Sequence, residues 1–306
     1  MTATISTTMS PKKPIDFVER NNLKAFREIL RDWLAIALII VFSIWANNIF
    51  VYVICVWLIG AFQFALAEAI AHEAAHYNLF TSKVWNDHLE FLYAFPFFRT
   101  LYSYRKHHFP HHTYLGSEKD YLIEQYEFLG LNKTNKNVFM ILFVKPILGF
   151  SAIFFVVETI HDTLLNFKTG LQENNERLLK NLLQLCLFWL VVIFGFYWSG
   201  HLDILLLYWF VPLLWSYSFF SAFNEVQEHC NTVSGTRSNV NPVVNLIFHN
   251  GGYHYVHHLC PTIPWYNLPK AHQSLCPNNP DVSRSFLDSY RQITRDNSAI
   301  KSSEAN

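Results

Sequence analysis

WLAIALIIVFSIWANNIFVYVICVWLIGAFQFALA, residues 33–67, contains no charged side chain. One crossing of a bilayer needs about 20 apolar residues. This run is nearly twice as long, and the polar pair Asn47-Asn48 interrupts it near the middle. The pattern predicts a helical hairpin: one span from about Arg31 to Ala46, a tight polar turn, and a second span from about Ile49 to Ile70. A second pair follows. Residues 182–202 are uncharged, Asp203 stands by a turn at Ser199-Gly200-His201, and residues 204–224 are uncharged again. Four crossings in two hairpins are expected, with Trp and Tyr near the ends suited to the membrane–water boundary. A further apolar stretch, VFMILFVKPILGFSAIFFVV (138–157), is broken by Lys145-Pro146, and only twelve uncharged residues follow the lysine. It predicts an interfacial helix lying in the headgroup region rather than a crossing.

Composition agrees. Of 306 residues, 51% are hydrophobic, 17% aromatic and only 15% charged, where soluble domains carry about a quarter charged. A formal net charge of zero gives no electrostatic footprint for nucleic acid. The five cysteines show no CxxC spacing and read as reduced thiols, which leaves no disulfide framework and no sulfur-ligated metal. The positive charges set an orientation. Six Lys/Arg precede the first span, eleven lie between the hairpins and six follow the fourth span, with none at either hairpin tip. Both termini are therefore expected in the cytosol. Residues 1–32 are too polar for the start of a signal peptide. The resulting layout is an all-α membrane protein: a cytosolic N-terminal segment (1–30), a membrane catalytic domain (31–275) with a cytosolic histidine-rich cap, and a polar tail (276–306) expected to fray from Asn278 onward.

The chain has fifteen histidines, and nine are grouped at the cytosolic ends of the expected spans. HEAAH (72–76) sets His72 and His76 at i,i+4, one face of a helix. RKHHFPHHTY (105–114) holds His108, His111 and His112, with Pro110 allowing a helix to begin near it. His229 follows the fourth span, and GGYHYVHH (251–258) holds His254, His257 and His258. Neutral imidazole suits iron and zinc alike. One zinc takes three or four ligands, so nine histidines suit two metals at four or five each. An all-nitrogen shell with open positions fits redox iron that meets dioxygen.

HEAAH, HFPHH and HYVHH, spread over two membrane hairpins, resemble the three histidine boxes of the membrane fatty acid desaturase/hydroxylase superfamily. LCPTIPWYNLPKAH (259–272) is similar to the run after the last box in acyl desaturases. The resemblance covers roughly residues 30–275. It implies a di-iron oxidoreductase that uses two Fe2+ and dioxygen, with His72, His76, His108, His111, His112, His229, His254, His257 and His258 as metal ligands. Desaturation of an acyl chain carried by CoA, acyl-carrier protein or lipid is the first expectation; hydroxylation or ketolation of a lipid or specialised metabolite is the alternative. Glu225, one helical turn before His229, stands where some members have an asparagine; it would approach an iron or hold a histidine tautomer. Glu73, His107, His249 and Asn250 are further candidates to support the ligands, with His107 one residue out of register. His88, His161, His201 and His272 are read as surface or interfacial.

Two other readings compete. A membrane zinc peptidase would use Glu73 as general base between His72 and His76, but it leaves six clustered histidines without a task. Its other echo, NPDV (279–282), lies in a polar tail rather than an apolar helix. A metal transporter would carry its ligands near the midplane, where these spans have no ionisable group. Electrons must come from outside, since there is no cysteine set for an iron–sulfur cluster and no GxGxxG. A ferredoxin or a cytochrome b5-like donor is implied, docking on a cytosolic face that includes Arg99, Arg105, Lys106 and Lys119.

Overall fold

A computed structural model describes residues 12–133 and 136–295. The N-terminal eleven residues and residues 296–306 lie outside the described part. Among the described residues helix dominates, and strand is confined to β1 (Ser238–Asn239) and β2 (Val282–Ser283), paired in parallel. Five helices of the described residues are long and apolar enough to cross a membrane: α1 (Asn22–Ala46), α2 (Ile49–Ala75), α6 (Phe150–Gln172), α7 (Glu176–Trp198) and α8 (Leu202–His229). Between them lie α3 (Lys83–His88), α4 (Leu101–Tyr114) and α5 (Leu122–Leu129). After them come α9 (Pro242–Ile247), α10 (His254–Leu259), α11 (Leu268–Leu275) and α12 (Phe286–Thr294).

The two expected hairpins form. Asn47 ends α1 in the left-handed conformation (φ 43°), and the Asn48 side chain accepts hydrogen bonds from the Phe50 and Val51 amides to start α2. Asparagine tolerates the first role and supplies the oxygen for the second. Gly200 (φ 74°) makes the corresponding turn between α7 and α8. α2 and α8 approach very closely at Gly60, where Ser216 donates to the Val56 carbonyl at 2.7 Å. Small residues allow such contact between membrane helices. Both helices carry π-turns, at Ala65–Ile70 in α2 and on either side of Val211-Pro212 in α8. Each π-turn changes the phase of the helix beyond it.

Residues 138–157 differ from expectation. A short helical stretch ends at Leu148, Gly149 (φ 90°) breaks it, and α6 then runs from Phe150 for 23 residues. The break follows glycine rather than Lys145-Pro146: Pro146 lies inside the helical stretch, directly after the π-turn Met140–Val144 that interrupts the regular ladder, whereas a positive φ is not open to most residues. The count of apolar helices of spanning length is thus five rather than four. The fifth is two-faced: Phe150, Ile153, Val157, Ile160, Leu164, Phe167 and Leu171 form one exposed stripe, while Glu158 and Asp162 face inward on a cavity.

The tail does not fray over residues 278–295. β2 joins it to β1, and Asp281 accepts hydrogen bonds from the Val233 and Ser234 amides and the Ser234 hydroxyl at 2.7–3.1 Å. Arg237, buried, bonds both to the tail at Gln292 and to carbonyls at the end of α8. Asp281 is therefore a structural clip, and NPDV has no place in an apolar helix.

Candidate metal centre

Three helices and the end of a fourth converge below the spans. α2 and the turn after it bring His72 and His76, α4 brings His108, His111 and His112, α8 ends on His229, and α10 carries His254, His257 and His258. α4 starts at Leu101 rather than near Pro110, its first turn capped by the Thr100 hydroxyl on the Ser103 amide. Pro110 lies inside the helix, so the second box is held on a continuous helix. The third box is set by an unusual entry. His249 (φ 50°) and Asn250 (φ 59°) are both left-handed, and Gly252 packs so tightly on β1 that a Cβ there would stand 2.4 Å from the Asn239 carbonyl oxygen.

The nine histidines gather into two groups, His72, His76, His108, His112 and His257 in one, and His111, His229, His254 and His258 in the other. Within each group the ligand atoms all lie within 4.8 Å of one another. The groups adjoin: the His112 and His258 rings stack at 4.1 Å. Contacts inside them run from Nε2 to Nε2, 2.6 Å for His72–His257, 2.8 Å for His76–His108, and 3.0 Å for both His229–His254 and His254–His258. Neutral imidazole has one N–H and one lone pair, and the Nδ1 contacts show which is which. His111 Nδ1–H donates to Asp120 at 3.0 Å and His229 Nδ1–H to the Gly235 carbonyl at 3.1 Å. Their Nε2 lone pairs therefore point into the group. Such backing of one ring nitrogen is how proteins orient metal-bound histidine. Burial, and after it the neighbouring imidazoles, push His112 down to about 4 and His108, His254, His257 and His258 well below the ordinary range. Unprotonated, crowded nitrogen donors aimed at common points fit two metal ions.

The other candidates separate. Glu225 Oε1 lies 4.0 Å from His229 Nε2. Glu73 is turned away, its carboxylate accepting the Trp265 amide at 3.2 Å; it anchors the run after the third box and is not poised as a general base. His107 joins neither group and stands toward Asp162 across the cavity lining. His249 is buried beside α1, bonded to Asp32 at 2.7 Å with Arg31 and Glu28 around it. Asn250 belongs to the turn, with its amide on the Asn245 carbonyl. Three contributors have no motif to announce them: Asp120, the Gly235 carbonyl, and Glu228, whose Oε2 is 3.6 Å from His254 Nε2. Glu228 directly precedes His229, and that adjacency is the one signal available for it. Of the basic residues expected at a docking face, Arg99 turns inward to Glu68 and the Ala67 carbonyl, and Arg105 binds Asp87 and the Ala75 carbonyl. Lys106 and Lys119 stay exposed.

A cavity of about 610 Å³ opens on the histidines between α2, α4, α6 and α8. Phe97, Phe98, Phe154 and Phe155 form an apolar side. The polar lining comes from the Glu68–Arg99 ion pair (3.1 Å), Tyr217 donating to Glu68 at 2.6 Å, and Glu158, Asp162, Glu225 and Glu228.

Comparison with known proteins agrees with this architecture. The sequence is 31% identical over 236 residues, 72% of this chain, to dihydrorhizobitoxine desaturase of Bradyrhizobium elkanii. That alignment covers 66% of the relative's length, just under two thirds. The family model for fatty acid desaturases matches residues 47–288, from the tip of the first hairpin through all three boxes to β2 and the start of α12. Desaturase chemistry is oxidoreduction, and apolar helices around a histidine centre are what an integral membrane desaturase requires: the chain belongs to the fatty acid desaturase family.

Proposed function

We propose that the chain is a di-iron, dioxygen-dependent desaturase that inserts a C=C bond into a chain-bearing substrate at the cytosolic face of a membrane. The observation that carries this reading is the pairing of a five- and a four-histidine group, side by side and open to one cavity. When bound, two irons supply dioxygen activation and removal of hydrogen from an unactivated C–H bond. The protein's part is positional. Nε2 atoms hold the metals, Asp120 and Gly235 fix the rings of His111 and His229, and Tyr104 supports Nδ1 of His72 at 3.3 Å. The phenylalanine wall orients the chain and excludes water from the histidines. Each methylene buried there contributes about 0.8 kcal/mol.

In this reading four helices cross and α6 lies in the membrane plane, its apolar stripe toward lipid and its acidic face roofing the cavity. Both termini and the boxes are cytosolic, following the lysine and arginine distribution. Electrons arrive from a separate ferredoxin or cytochrome b5-like protein. The carboxylates of the cavity favour a substrate with polar or cationic groups near the reacting carbons over a plain acyl chain, and the relative named for dihydrorhizobitoxine is consistent with a specialised substrate. Hydroxylation or ketolation would use the same centre with a different placement of the substrate.

Two measurements test the proposal. Purified protein should contain about two irons per chain; a single zinc per chain overturns it. Expression in a host of known lipid and metabolite content should give a product 2 Da lighter with a new double bond. A product 16 Da heavier selects the hydroxylase, and cleavage of a peptide with neither product refutes both.

A further inference from the structure

We infer that the metal held by the four-histidine group also takes a carboxylate oxygen from the Glu225–Glu228 pair, so that the two metals are chemically unlike. The inference rests on the two-iron reading above. Three carboxylates approach this group, and they do so from opposite sides. Asp120 meets Nδ1 of His111 at 3.0 Å, on the ring edge turned away from the group, where it accepts an N–H. Glu225 Oε1 and Glu228 Oε2 instead approach Nε2 atoms, 4.0 Å from His229 and 3.6 Å from His254, the nitrogens whose lone pairs converge.

That difference of side separates the two roles open to Glu225 from sequence. Nδ1 of His229 is already engaged by the Gly235 carbonyl, so Glu225 does not hold the tautomer. Two donor atoms bound to one ion at about 2.1 Å each stand about 3 Å apart when adjacent and about 4.2 Å apart when opposite. Both glutamate separations fall inside that range. Each oxygen stands against one edge of the group, and both residues, on the last turns of α8, line the cavity, so binding requires one carboxylate to turn further toward the four nitrogens. Among the described residues, no carboxylate comes within 4.0 Å of a ring nitrogen in the five-histidine group. One carboxylate makes the count five donors on each side: nitrogen alone on one metal, four nitrogens and an oxygen on the other. The oxygen is the harder, anionic donor, so it lowers the charge of one metal only.

The experiment is Mössbauer spectroscopy with metal analysis on the full chain in detergent, loaded with 57Fe(II), as wild type and as Glu225→Gln, Glu228→Gln and the double variant. The wild type should hold about two irons and show two ferrous doublets of equal area. In the double variant, and in whichever single variant removes the ligand, one doublet should shift or lose more than half its area while the other is kept. Two irons with both doublets unchanged in the double variant overturn the inference and leave the di-iron reading standing. A wild type with a single doublet of doubled area, from two like sites, overturns it without need of any variant. A wild type that takes up no iron overturns the two-iron reading and this inference with it.

Discussion

Replacing Asp120 with asparagine should weaken one metal site and spare the other. The Asp120 side chain is fully buried and accepts three hydrogen bonds: His111 Nδ1–H at 3.0 Å, the Gly116 amide at 2.8 Å and the Leu122 amide at 3.2 Å. Asparagine keeps the shape but turns one oxygen into an NH2 group, so one buried donor faces another. An unsatisfied buried donor costs about 1–3 kcal/mol. The lower-cost orientation sets the NH2 group on the single Oδ2 contact, against the Gly116 amide, and leaves His111 Nδ1–H on a neutral amide oxygen in place of a carboxylate, a weaker partner. Loss of such a backing partner typically costs about 10–100-fold in metal affinity, or about 1.4–2.7 kcal/mol, in line with the hydrogen-bond figure. His111 belongs only to the four-histidine group. Titration of metal-free protein with Fe(II) or Co(II) against a competing chelator should therefore resolve two sites in the variant, one bound about 10–100-fold more weakly than in the wild type and the other unchanged. Equal weakening at both sites would mean that Asp120 supports the fold and not His111. Unchanged affinity at both would refute the role assigned to the contact.

Gly60→Ala should destabilise the α2–α8 contact by about 1–3 kcal/mol, the usual cost of overpacking, because the new Cβ would stand 2.0 Å from Ser216 Oγ and 2.7 Å from the Tyr217 amide nitrogen. Thermal unfolding in detergent measures it, and a melting temperature equal to wild type refutes the close approach. For His249, burial alone would lower the imidazole pKa, but Asp32 and Glu28 outweigh it and hold it above the ordinary value, against a smaller opposing effect of Arg31. A raised folded-state pKa contributes stability that is fully present below the unfolded value of about 6.5 and is lost as pH rises through the raised value. The stability gap between wild type and His249→Gln should be widest near about pH 6 and close at alkaline pH; a gap that stays constant up to about pH 9 would exclude the charge-based account. Asp281→Ala strands the Val233 and Ser234 amides, each an about 1–3 kcal/mol loss, and frees the loop whose Gly235 carbonyl holds His229. It should lower the melting temperature and metal content together, whereas loss of stability with full metal content would show that the clip does not reach the centre.

The hairpins were legible because their signal is local. Two asparagines in a charge-free run have no place but a turn, and Asn47 and Asn48 take the two jobs asparagine does well, a left-handed end and a capping oxygen. The histidine groups were legible for a different reason. The boxes are individually ambiguous, but their common position at the ends of paired spans leaves little freedom in where they meet. What the sequence does not disclose is how they are divided. His111 and His112 are neighbours in the chain yet fall in different groups, because adjacent residues on α4 point about 100° apart, enough to send each ring into a different one of two adjoining groups.

The same logic explains the unread partners. Asp120, nine positions after His111, reaches it through a turn rather than along a helix, so no i,i+4 rule applies. On α8, counting turns from the start of the span fails for a physical reason. Two π-turns, Leu206–Phe210 and Leu213–Tyr217, intervene before Glu225, Glu228 and His229, and each adds to the phase of everything beyond it. An unbroken α-helix from Leu202 would present a different face at its end. The π-turn in α2 at Ala65–Ile70 stands in the same relation to His72 and His76. In both helices the irregular turns lie between the hairpin tip and the histidines, so the packing of the first turns of each span and the aim of the metal-facing residues need not share one helical phase. Glu225 and Glu228 approach the ring nitrogens only because the two requirements are separated there.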